Sequence, residues 1–141
     1  MAGPQATTRL RVRYSETDPM GTFYNSRALE WFECARNELL RSIGIPYAQM
    51  ESRGVRLPLT ESHVQYVGRA QYDDELELTA SARMAGRASV RFEVTIRQAN
   101  GGGAVAVGWT LHAVTDPAGK PIRPPSWLID GLTDHGATPT P

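Results

Sequence analysis

The stretch RALEWFECARNELLRSI, residues 27–43, constrains this chain more than any other. At the helical step, Ala28, Trp31, Phe32, Ala35, Leu39 and Ile43 fall on one side, with Glu30, Glu33, Asn37 and Arg41 opposite. Leu29 and Leu40 widen the apolar stripe to about half the cylinder. A stripe that broad predicts a helix wrapped by a curved sheet. Gly44 and Pro46 mark its end. Asn25 or Ser26 is placed to cap its start.

The rest of the chain supplies such a sheet. In TTRLRVRY, residues 7–14, Leu10, Val12 and Tyr14 point one way and Arg9, Arg11 and Arg13 the other, which predicts a half-buried strand with Tyr14 inward. YAQMESR, 47–53, reads as a short helix, and a second strand spans about 57–68. Three strong strands follow. In 74–84, Leu76, Leu78, Ala80, Ala82 and Met84 alternate with polar residues. In 88–98, Val90, Phe92, Val94 and Ile96 do so. In 104–115, Val105, Val107, Trp109, Leu111 and Ala113 line one face. AGR and NGGG are tight turns; no Lys-Ser/Thr follows NGGG to make it a phosphate loop. DPAGKPIRPP ends the sheet, and SWLIDGL predicts a terminal helical turn or two. The order is strand, long helix, then four strands in meander-like succession: an α+β fold with a five-stranded antiparallel sheet on one helix. The expected organisation is one domain over 8–134, between flexible ends at 1–7 and 135–141.

Composition narrows the function classes. Fifteen basic residues balance fifteen acidic ones, which argues against a general nucleic-acid binder. Fourteen of the basic residues are Arg, and Lys120 is the single Lys. Cys34 stands alone, so no intrachain disulfide forms, which fits a reducing compartment. MAGPQATT lacks an apolar signal core, and no apolar run is long enough to span a membrane. A cytoplasmic protein without membrane or nucleic-acid partners is expected.

The candidate site is RYSETDPMGTFYN, residues 13–25, between the first strand and the long helix. The motif RVRYSETDPMG, then FYN, then EWFECAR, together with the strand order, resembles the hotdog-fold acyl-CoA thioesterases of the 4-hydroxybenzoyl-CoA thioesterase (4HBT) and YbgC-like family. YDDELEL and GKPIRPP extend the resemblance over about residues 8–128. It implies a sheet wrapped around the helix, and hydrolysis of an acyl-CoA or acyl-carrier-protein thioester with no cofactor besides the substrate. It also implies a homodimer that forms the site, stacked into a homotetramer.

By the same resemblance, Asp18 falls on the catalytic carboxylate, as nucleophile or general base, and Tyr14 on a tyrosine proposed to assist it. Asn25 stands where many members carry His, and asparagine cannot move a proton near neutral pH. Arg27 and Ala28 also depart from the common Asn and Tyr of the helix entry. Amides near Tyr24 and Asn25, at the electropositive start of the helix, would form the oxyanion hole. Arg87 resembles a basic position for the coenzyme A phosphates, flanked by Arg83 and Arg91.

Plainer readings stand beside these. Asp-Pro is a common turn former. Tyr14 can be a core tyrosine, Asn25 only the N-cap, and Tyr24 a packing residue. Glu33 reads as a solvated or salt-bridged acid, and Cys34 as a packed helix thiol. His63 and His112 read as structural and His135 as part of the tail, with no metal-binding spacing. Trp31, Phe32, Val64 and Tyr66 are candidate pocket residues. Two other functions fit the pattern: a hotdog enoyl-CoA hydratase or dehydratase, for which no His lies at the helix entry, and a non-catalytic acyl or small-ligand binder.

Overall fold

The computed structural model describes residues 3–133. The predicted tail, 135–141 with His135, lies outside the described residues. Strand β1 spans Gln5–Arg11 and is followed by a 3₁₀ turn at Tyr14–Glu16. The long helix α1 spans Arg27–Ser42 and a short α2 spans Tyr47–Ser52. Strands β2 (Leu59–Tyr66), β3 (Glu75–Met84), β4 (Ser89–Gln98) and β5 (Ala104–Ala113) follow, then α3 at Ser126–Gly131. The five strands form one antiparallel sheet in the order β1-β3-β4-β5-β2.

The sheet curls on α1 because their apolar faces match. Trp31, Phe32, Ala35, Leu39 and Leu40 of the helix are buried against Leu76, Leu78, Ala80, Val90, Phe92, Val94 and Ile96. Gly108 permits a close approach on this face: a Cβ there would lie 1.9 Å from the His63 carbonyl oxygen and 3.0 Å from the Phe32 ring.

Five expectations need correction. Gly3 and Pro4 are buried, and β1 begins at Gln5, so residues 3–7 belong to the fold rather than to a flexible lead-in. The Ala82 amide bonding the Pro4 carbonyl explains this. The succession after α1 is not a full meander: β3, β4 and β5 are consecutive neighbours, but β2 crosses to the far edge beside β5.

The third concerns the face of β5. Val107, Trp109 and Leu111 share a face, but it is the outer one, beside Thr95, Glu93 and Arg91. The register shifts between Ile96 and Arg97, which pair with Ala106 and Ala104 and leave Val105 as the extra residue. Alternation reports parity, and a bulge changes which parity faces the core. Thr110 and His112 therefore take buried positions opposite Phe92 and Val90.

Tyr14 is the fourth correction. It has left the strand for the 3₁₀ turn and is 76 % exposed, with its ring edge-on to Tyr72 at 5.7 Å. Cys34 is the fifth: it is exposed, at the margin of the apolar stripe. Burial and the Glu33 charge raise its thiol pKa.

Candidate functional site

The connection from β1 to α1 is a small hairpin. The Asp18 amide donates to the Thr22 carbonyl at 2.9 Å, Gly21 donates back to the Asp18 carbonyl at 2.9 Å, and the Tyr24 amide donates to the Glu16 carbonyl at 2.8 Å. Gly21 has φ +80°, the left-handed conformation that lets the turn close without strain. Asp18 stands on one arm of this hairpin, and the other arm runs directly into α1. Its carboxylate accepts the Met20 amide at 2.9 Å and remains half-exposed.

Three anchors hold the hairpin. Phe23 is buried, tilted against Trp31 at 5.0 Å, and its amide bonds the Ala70 carbonyl. Arg69 donates to the Met20 carbonyl at 2.7 Å. Glu16 is the deepest anchor. One carboxylate oxygen accepts the Arg13 amide at 2.7 Å; the other accepts the Trp31 indole at 3.1 Å and the Arg13 guanidinium at 3.2 Å. Burial works to raise its pKa, but the Arg13 amide, the Trp31 indole and the Arg13 guanidinium together hold the carboxyl below its usual value. Glu16 is thereby a structural carboxylate. The sequence offered a signal for it, an acid three residues after Arg13 at the start of a turn, but gave no sign of the indole that completes its shell.

The helix start differs from expectation. The Tyr24 amide is consumed by Glu16 and does not face a substrate. Among the described residues, the Asn25 and Ser26 amides donate to no protein acceptor. Ser26, not Asn25, is the N-cap residue, and no side chain caps the helix. The Asn25 side chain is exposed and unbonded among the described residues, and the Asn25 carbonyl accepts the Tyr66 hydroxyl at 2.8 Å. Tyr66 thus ties the end of β2 to the start of α1. Tyr14 makes no hydrogen bond to Asp18. Trp31 and Phe32 lie wholly in the core.

The proposed phosphate contacts do not converge on Asp18 within one chain. The Asp18 hairpin packs on residues 69–71, beside the start of β3, whereas Arg87 lies in the turn beyond its end. At about 3.3 Å per residue, ten strand residues separate them by roughly 30 Å. Arg91 pairs with Glu93 at 3.1 Å and lies over the Trp109 ring at 4.5 Å. Arg83 approaches the same carboxylate at 4.0 Å. Arg87 is exposed and without a protein partner among the described residues.

A cavity of about 280 Å³ opens at that same far end, between α1 and the sheet. Arg36, Asn37 and Glu33 of α1 line it, with Leu59, Phe92 and His112 across from them. Burial lowers the Arg36 pKa, against the opposing pull of Glu33. His112 contacts the Leu57 carbonyl through Nδ1 at 2.9 Å and the Thr110 hydroxyl through Nε2 at 3.0 Å. Nδ1–H donating and Nε2 accepting is the neutral tautomer that satisfies both. Burial pushes its pKa down to about 4. No group of three or more His, Cys, Asp or Glu side chains among the described residues is arranged to hold a metal ion. No described helix is long and apolar enough to cross a membrane.

The profile of the thioesterase-like superfamily matches residues 12–132. A protein of Aquifex aeolicus, provisionally named an esterase, is 31% identical over 126 residues, covering 89% of this chain and 96% of its own length. The crystal structure of a DHNA-CoA thioesterase from Staphylococcus aureus superposes with a TM-score of 0.78 at 28% identity, over 84% of this chain and 80% of that one. A 1,4-dihydroxy-2-naphthoyl-CoA thioesterase from Synechocystis shares the fold, with a TM-score of 0.86 at 20% identity, over 95% of this chain and 99% of that one.

Proposed function

Because this chain belongs to the thioesterase-like superfamily and is a hotdog-fold acyl-CoA thioesterase, we propose that Asp18 carries the hydrolysis. Water attacks the thioester carbonyl carbon while Asp18 takes its proton, or the carboxylate attacks first and water then cleaves the mixed anhydride. In either case the C–S bond breaks, the coenzyme A thiolate leaves, and the thiol regains a proton. The oxyanion forms against the amides of Asn25 and Ser26, at the positive end of α1.

The observation that carries this assignment is the pairing of a half-exposed carboxylate with uncommitted amides on adjoining arms of one pinned hairpin. Neither the Asn25 side chain nor Tyr14 is needed as a proton carrier, since backbone donors supply the electrophilic contribution.

The site is completed in a homodimer. Strand β2 is an edge strand, exposed along nearly its whole length, and one edge of it has no neighbouring strand. Antiparallel pairing of β2 with a second copy covers that edge. It also brings the far end of each sheet, with Arg87, toward the Asp18 hairpin of the other subunit. The outer surface of β5, with Val107, Trp109 and Leu111, supplies the face on which two dimers stack.

The test is hydrolysis of a panel of acyl-CoA and acyl-carrier-protein thioesters by wild type and Asp18→Asn. Asparagine keeps the acceptor for Met20 but not the charge, so the fold should persist while rates fall by roughly 10²–10⁴-fold. Turnover that survives the substitution would remove Asp18 from the mechanism. Hydration of enoyl-CoA without hydrolysis would favour a hydratase, and tight ester binding without turnover a binding protein.

A further inference from the structure

The Asp18 hairpin is held unequally along its length. Its base and returning arm are tied to the core: Glu16 by the Trp31 indole, Phe23 by its burial and by the Ala70 carbonyl, and Ser15 by the Arg27 guanidinium, which donates to its carbonyl at 3.2 Å. The tip, residues 18–21, closes on itself. Gly21 bonds the Asp18 carbonyl, and the Asp18 carboxylate accepts the Met20 amide. Met20 is 75 % exposed. Chain neighbours aside, a Cβ on Gly21 would meet the Arg69 Nη2 at 3.9 Å and no other group within 4 Å. Among the described residues, the bond from Arg69 to the Met20 carbonyl at 2.7 Å is the one hydrogen bond that reaches the tip from outside residues 17–22.

Arg69 is itself fixed from behind. The Val67 and Gly68 amides both donate to the Val105 carbonyl at 3.0 Å, and a Cβ on Gly68 would lie 2.3 Å from the Ala104 carbonyl oxygen. The Gln98 side-chain amide donates to the Arg69 carbonyl at 3.0 Å and to the Asp74 carboxylate at 3.1 Å. The Ala70 amide donates to the Thr22 hydroxyl at 3.1 Å. Residues 67–71 thus form a strap tied to the end of β4 and the start of β5, and Arg69 projects from it onto the tip. Its guanidinium makes no ion pair among the described residues, so no carboxylate competes with the Met20 carbonyl for it. A charged donor holds a carbonyl more firmly than a neutral one.

We propose that Arg69 is a positioning residue for the hydrolysis. By pinning the Met20 carbonyl it fixes the turn, and the Met20 amide in that turn aims the Asp18 carboxylate toward the amides of Asn25 and Ser26. Arg69 works through Met20 and not by contact with the substrate. This inference rests on Asp18 as the reacting carboxylate. Released, the tip pivots about the buried Phe23, and a displacement of about 1 Å at a reacting group can cost on the order of 10²-fold in rate. The bond lies at the surface and its loss leaves the core packing intact, so the effect falls on rate rather than on the fold.

The experiment compares wild type with Arg69→Met and Arg69→Lys on the fastest thioester of the acyl-CoA panel. In Arg69→Met, kcat is expected to fall roughly 10–100-fold while KM changes by less than about twofold. Arg69→Lys keeps a charged donor and should recover part of the loss. The urea midpoint should stay at the wild-type value in both. An unchanged kcat overturns the assignment. So does a raised KM at constant kcat, which would make Arg69 a contact for the coenzyme A phosphates. A fall in kcat matched by a lower urea midpoint would make Arg69 a structural residue, and overturns it as well.

Amide exchange followed by NMR reads the pin with or without turnover. Exchange at Met20 and Gly21 should quicken severalfold in Arg69→Met, while Phe23 and Tyr24, held by the Ala70 and Glu16 carbonyls, keep their wild-type rates. Equal exchange at Met20 in the two proteins overturns the proposal whatever the rates of hydrolysis. If wild type hydrolyses no thioester, or if Asp18→Asn is as fast as wild type, the thioesterase reading fails by itself, and exchange at Met20 still decides whether Arg69 fixes the turn.

Discussion

The Glu16 carboxylate accepts the indole N–H of Trp31 at 3.1 Å, joining the loop before α1 to the first buried turns of the helix. Fifteen residues apart in sequence, the two fix where the hairpin lies relative to the core, and Asp18 is carried on that hairpin.

Replacing Glu16 should therefore disturb both stability and catalysis. Glu16→Ala leaves a buried indole donor and the Arg13 amide without acceptors, at an expected cost of about 2–5 kcal/mol. Glu16→Gln keeps one of the two acceptor oxygens and should cost less than the alanine variant. Urea denaturation measures the first effect. Thioester hydrolysis in the folded Gln variant measures how far the hairpin has shifted.

Tyr66→Phe removes one hydrogen bond, from its hydroxyl to the Asn25 carbonyl at 2.8 Å. The expected stability loss is about 0.5–1.5 kcal/mol. The larger effect should be on kcat, because the amides of Asn25 and Ser26 lose the brace that aims them. An unchanged kcat would mean that the aim of these amides does not depend on Tyr66.

Charge placed at the centre of β2 should separate the proposed dimer. In a two-fold pairing centred on this strand, Ser62 lies opposite His63 of the partner subunit. Ser62→Glu with His63→Glu then sets carboxylates against carboxylates, which destabilises directly opposed positions. Sedimentation should shift from dimer to monomer and hydrolysis should be lost, while the far-ultraviolet circular dichroism stays that of a folded sheet. A dimer that survives places the interface elsewhere.

Acid should weaken the fold first through His112. Its folded pKa is lowered from 6.5 to about 4, so the neutral form is favoured in the native state. The unfolded chain takes up the proton first, and this contribution is fully present above about pH 6.5 and lost as the pH falls toward about 4. Glu16, whose carboxyl is held below its ordinary value, adds a second loss at lower pH. Equilibrium unfolding from pH 7.5 to 4 should show the first slope, and His112→Gln should flatten it.

Much of this protein was legible in the sequence. Residues 27–43 declared the helix and its buried face, the alternating segments declared five strands, and the motif from Arg13 to Asn25 marked the turn between β1 and α1. These are local properties, set by side-chain periodicity and turn chemistry, and a string records them directly.

What the tertiary structure decided depends on separations the string does not hold. The bulge at Val105 turned Trp109 outward and His112 inward. The crossing of β2 to the sheet edge set Tyr66 on Asn25. The Glu16 carbonyl took the Tyr24 amide and left Asn25 and Ser26 as donors. Packing left Arg36 facing a cavity without an ionic partner. Each follows from which distant backbone and side-chain groups compete for the same hydrogen bond or the same volume, and that competition is settled only when the sheet closes around the helix.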